Sequence, residues 1–117
     1  MGDRGQVFIK DTGVYLYTHW GASDLINRVK EALAKKRRWG DAEYLTRIIF
    51  DCMKGKDTES ETGYGIGTNQ HGDIWRLITV DCENRTIRVE DFKVRHFHGS
   101  FDEFLDSGFS PSEEMGE

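Results

Sequence analysis

Gln6-Val7-Phe8-Ile9-Lys10-Asp11-Thr12-Gly13-Val14-Tyr15-Leu16-Tyr17-Thr18-His19-Trp20 reads as two strands around a turn, and this reading decides the fold. Val7, Phe8 and Ile9 are strand formers, and Asp11-Thr12-Gly13 has turn chemistry. From Val14 onward the residues alternate. Val14, Leu16, Thr18 and Trp20 fall on one face, and Tyr15, Tyr17 and His19 on the other. If the aliphatic face lies against helices, the opposite face carries too many rings for a plain solvated surface.

The helices follow the hairpin. Gly21 breaks the second strand, and Ser23 is placed to cap a helix with Asp24 beside its positive end. Leu25, Ile26, Val29, Ala32 and Leu33 keep helical spacing, and Gly40 reads as the C-terminal breaker. Asp41 is placed to cap a second helix with the stripe Ala42, Leu45, Ile48, Ile49, Cys52 and Met53, ended by Gly55. Strands are expected over 63–68, 74–80, 85–90 and 92–97, and Lys56 to Glu61 reads as a polar loop. Ser100-Phe101-Asp102-Glu103 matches a capping box that opens a short helix. The expectation is a single α+β domain over 1–109 with a flexible acidic tail over 110–117. Its architecture is one antiparallel sheet of four to six strands with two helices on one face, in the order ββααβββ plus a short C-terminal helix.

Thr62-Gly63-Tyr64-Gly65-Ile66-Gly67-Thr68 puts Gly63, Gly65 and Gly67 on one strand face as nearly bare backbone. The spacing is GxGxG, unlike the GxGxxG of dinucleotide folds, and no Gly-Lys-Ser/Thr follows. Two readings apply. In the preferred one a helix, Trp20 or Trp75 packs tightly over the bare face, so that valine at Gly65 destabilises the fold. In the other the strand faces a ligand.

Composition narrows the class. The chain has 117 residues, of which 37% are hydrophobic, enough apolar material for one core. No run approaches the roughly 18 apolar residues of a membrane span. The start lacks the layout of a signal peptide, so the expected location is the cytoplasm. Cys52 and Cys82 form no CxxC unit and read as free, partly buried thiols. The net charge of −5 is uneven: Arg28, Lys30, Lys35, Lys36, Arg37 and Arg38 cluster against the single acid Glu31.

Four constellations stand out. Tyr15, Tyr17 and His19 form an aromatic sheet face suited to stacking or self-association. His19 as acid or base with Arg47, which would neutralise an anionic substrate, gives a small hydrolase or nucleotide-handling enzyme beside the glycine strand. Lys35-Lys36-Arg37-Arg38-Trp39 offers phosphate contacts and a stacking ring, although the acidic total weighs against a general nucleic-acid binder. His96 and His98 share a strand face, but a metal site needs a third ligand such as the distant His71. They read as exposed edge-strand histidines, and neither metal nor cofactor is expected.

Met1-Gly2-Asp3-Arg4, Tyr17-Thr18-His19-Trp20-Gly21, Tyr44-Leu45-Thr46-Arg47-Ile48-Ile49-Phe50 and Thr62-Gly63-Tyr64-Gly65-Ile66 occur in this order. On these segments the chain resembles, over about its first 90 residues, a group of small uncharacterised bacterial, archaeal and phage proteins. The resemblance implies a compact domain with a mobile-element accessory role and brings no activity with it. The element order is also similar to half of the proteasome-like N-terminal-nucleophile sandwich, but Met1-Gly2-Asp3 offers no nucleophile. The expected function is therefore a non-enzymatic binding or interaction protein. Its partner would be a second copy, a host protein or a small anionic ligand.

Overall fold

The structure, a computed structural model, describes residues 3–55, 63–92 and 94–106. The hairpin forms as β1 (Gly5–Ile9) and β2 (Val14–Thr18), with Val7 opposite Leu16 and Phe8 opposite Tyr15. Gly13 turns the chain at a φ of 74°, where a side chain would be strained. The later strands are β3 (Tyr64–Gly67), β4 (Arg76–Asp81), β5 (Thr86–Asp91) and β6 (Val94–Ser100). Together they make a six-stranded sheet in the order β3-β2-β1-β4-β5-β6.

The sheet is mixed, which corrects the expectation of a purely antiparallel one. β1 and β4 run parallel, with Val7 beside Ile78 and Ile9 beside Val80. Two antiparallel triplets, β1-β2-β3 and β4-β5-β6, meet along their first strands. Such a pair needs a long crossover, and the chain supplies it with both long helices and β3.

Those helices, α1 (Leu25–Ala34) and α2 (Ala42–Lys54), cover one face of the sheet. All five stripe residues of α1 are buried, as are Leu45, Ile49, Cys52 and Met53 of α2. They meet Val7, Ile9, Leu16, Ile78, Val80, Ile87 and Val89 from the sheet. The short α3 (Phe101–Asp106) adds Phe101 and Phe104 to the same core. Its capping box closes reciprocally: Glu103 N–H donates to Ser100 Oγ at 3.0 Å, and Ser100 N–H to Glu103 Oε1 at 2.7 Å.

The helix ends differ from the sequence expectation. Ala22–Asp24 forms a 3-10 turn, so Asp24 takes the capping position that Ser23 was expected to hold. The Asp24 carboxylate is bound to Asn27 and Arg28 rather than to the backbone. α1 stops at Ala34, and Lys36 and Arg38 reverse the chain at φ of 53° and 61°, ahead of Gly40. The anchor is Trp39, whose indole donates to Leu33 O at 3.1 Å and packs edge-on against Phe101.

A close approach holds the other end of the helix layer. A Cβ on Gly5 would lie 2.9 Å from Ala22 Cβ and 3.1 Å from Arg76 O, so only glycine lets the 3-10 turn sit on β1. Beside it Arg76, only 2% exposed, grips Asp91 through two bonds of 2.7 Å and donates to Ala22 O. No helix among the described residues is long and apolar enough to cross a membrane. The expected tail over 110–117 and the loop over 56–61 lie outside the described residues.

Candidate functional site

Register places the helix-free face in two rows across the sheet. One row runs Gly67, Tyr15, Phe8, Thr79, Arg88, His98; the other runs Gly65, Tyr17, Gln6, Leu77, Glu90, Arg95. Rings dominate one half and charges the other. Phe8 and Tyr15 stack at 4.4 Å, and Tyr17 stacks on His71 at 4.3 Å, all outside the hydrophobic core. His19 meets Tyr17 edge-on at 6.4 Å, while its N–H donates to Gly63 O and extends the β2–β3 pairing.

The glycine strand corrects the packing reading. A Cβ on Gly65 or Gly67 would meet nothing within 4 Å among the described residues. The reason is parity at the sheet edge. Tyr64 and Ile66 pair with the helix-facing Thr18 and Leu16, so Gly65 and Gly67 fall beside Tyr17 and Tyr15 on the uncovered side. Trp20 instead packs edge-on to Tyr64, and Trp75 stacks on Phe92. Gly63 is buried, apart from the open pair.

Residues 68–75 return from β3 to β4 across this face. Gln6, buried on the sheet, holds that segment: its Nε2 donates to Asn69 O, and its Oε1 accepts from His71 N–H at 2.9 Å. Arg4 Nη1 binds Asp73 Oδ2 at 2.6 Å, and the Trp75 indole donates to Asp3 Oδ1. Burial, and then the Asp73 carboxylate, pushes the Tyr17 phenol above its ordinary value. Past the segment lies a hollow of about 550 Å³ walled by His71, Trp75, Leu77, Glu90 and Phe92. Phe92 is 70% exposed and holds a φ of 51°, which is rare for so large a side chain.

The helix side carries a second concavity. A cleft of about 670 Å³ between α1 and α2 is lined by Arg28, Lys35, Arg37, Arg38 and Arg47, with Glu31, Tyr44 and Asp51 among them. The structure thus brings Arg47 together with three members of the basic run, and separates it from His19. Arg47 binds Asp51 at 2.6 Å on the helix layer, whereas His19 keeps company with the sheet-face rings. Lys36 is exposed and does not line the cleft. Trp39, the ring that nucleic-acid stacking would require, is committed to Leu33 and Phe101. The sequence reading placed Arg28 in the basic cluster but in no site, and it gave Tyr44 no site role. Helical spacing puts Arg28 one turn ahead of Glu31 and Ala32, but no local signal turns it toward α2.

The histidines do not converge. His96 Nε2 lies 3.6 Å from Asp91 Oδ2, His71 Nδ1 lies 3.8 Å from Asp73 Oδ1, and His98 sits opposite Arg88. Among the described residues, no three His, Cys, Asp or Glu side chains gather to hold a metal ion. Cys52 and Cys82 are free and buried. Burial, followed by the Asp11 carboxylate, pushes the Cys82 thiol up to about 12, so it stays protonated and unreactive near neutrality. No family model, curated protein or solved structure matches the chain.

Proposed function

We propose that this protein is a small non-enzymatic binding module that recognises a flat protein surface through its helix-free sheet face, with a second copy of the chain as the first occupant. One observation carries the reading: the stacked pairs Phe8–Tyr15 and Tyr17–His71 lie outside the core, next to two glycines whose side-chain space no described residue fills. Rings supply contact area with little rotamer entropy to lose, and bare backbone lets a partner approach the sheet edge. The enzyme reading has less support, because among the described residues His19 and Arg47 lie in different layers, and the cleft that Arg47 lines does not include His19 as an acid–base group.

Gly65 provides a clean test. No described residue would meet a Cβ there, so Gly65→Arg should keep the wild-type melting temperature while blocking a close partner. Light scattering should find a dimer for the wild type and a monomer for Gly65→Arg. A wild-type monomer at every accessible concentration, or a dimer indifferent to Gly65→Arg, sinks self-association through this face.

A further inference from the structure

The interhelical cleft differs in chemistry from the sheet face and lies on the other side of the molecule. Its carboxylates among the described residues are already engaged, Asp51 with Arg47 at 2.6 Å and Glu31 with Arg28 at 3.5 Å. Lys35 and Arg37, which also line it, have no ion-pair partner among the described residues. Arg38 lays its guanidinium 4.7 Å from the centre of the half-exposed Tyr44 ring. We propose that this cleft binds a small phosphate-bearing anion of the nucleotide class, with Lys35 and Arg37 on the phosphates and the Arg38–Tyr44 stack as platform for the base.

Three features point to a small anion. The first is charge distribution. The chain as a whole holds 16 cations against 21 acids, whereas among the described residues five cations and two acids line the cleft, a locally basic hollow on an acidic remainder. A long nucleic acid would meet that acidic remainder, whereas a ligand confined to the cleft sees mainly the cations. The second is size: about 670 Å³ falls in the range of roughly 300–1,000 Å³ usual for small-ligand sites. The third is backbone. Lys36 and Arg38 hold left-handed conformations that residues with side chains rarely adopt, and Trp39 keeps them there. This strained turn delivers Lys35, Arg37 and Arg38 to one concavity rather than along a helix face.

The test titrates the intact protein with ATP, inorganic triphosphate, adenosine and a single-stranded oligonucleotide at low salt, followed by amide chemical shifts. ATP should saturate, triphosphate should bind more weakly, and adenosine should bind least. The Lys35→Gln/Arg37→Gln double variant, at exposed positions and with the wild-type melting temperature as control, should weaken ATP and triphosphate by at least about tenfold. Tyr44→Ala should weaken ATP and leave triphosphate unchanged. The proposal is overturned if neither phosphate probe saturates, if the double variant binds ATP as the wild type does, or if Tyr44→Ala leaves ATP binding unmoved. An oligonucleotide that binds more tightly than ATP at the same residues would replace it with a nucleic-acid surface. None of these readouts depends on dimerisation, so the two proposals can fail separately.

Discussion

Gly5 and Gly65 occupy strands of one sheet, yet the same missing Cβ has opposite consequences at each. Gly5 faces the helix layer, where Ala22 Cβ and Arg76 O fill the space. Gly65 faces the helix-free side of an edge strand and meets nothing among the described residues. A glycine in a strand therefore has no fixed meaning. Its role is set by which face it lies on and by what the rest of the chain lays over that face.

The packed region around Gly5 can be broken most severely through its ion pair. Asp91→Ala leaves Arg76 buried without its carboxylate and should cost about 3–5 kcal/mol, read from denaturant midpoints. Gly5→Val forces Ala22 and the strand apart and should cost about 1–3 kcal/mol in the same measurement. The far end of the same central strands has a pH signature. Cys82 follows β4, its N–H is bound by Asp11, and its thiol is raised from 9.0 to about 12. Folding therefore favours the protonated thiol. That contribution is complete below pH 9.0 and is lost as pH rises toward about 12. Stability should fall as pH rises across that window, with Cys82 contributing up to about 1.4 kcal/mol per pH unit, and Cys82→Ala should make the slope shallower, leaving the parts owed to the raised Cys52 thiol and Tyr17 phenol. The smallest effect belongs to the open region. Gly65→Val should leave stability unchanged or raise it by up to about 1 kcal/mol, because a β-branched residue suits an unobstructed strand. If Gly65→Val cost as much as Gly5→Val, the contrast between the two regions would collapse.

What the sequence revealed was local. The Asp11-Thr12-Gly13 turn, the α1 stripe and the Ser100–Glu103 capping box each depend on residues a few positions apart, and each formed as read. The capping residue and the end of α1 were misplaced because tertiary contacts decided them. Trp39 reaches back to Leu33, and Asp3 takes the Ser23 N–H. Arg76 was hidden for a different reason. A charge in an otherwise apolar strand is ordinarily at the surface, and Asp91 across the β4–β5 pair, with Ala22 O, lets it go inside. The aromatic face was legible from alternation alone, while its bare edge needed the pairing of β3 with β2. The basic cleft was half legible. Lys35 to Arg38 announce themselves, but the approach of Arg47 and Tyr44 depends on how two helices cross.

The parallel junction of β1 with β4 also governs the order in which the molecule can be made. Val7 must wait for Ile78, about seventy positions later, while the hairpin and both long helices have already emerged from the ribosome. Until then a nascent chain exposes the unpaired outer backbone of β1, a template for joining another copy in the wrong way. Synthesis halted before β4 would thus yield a sticky fragment rather than a smaller version of the protein.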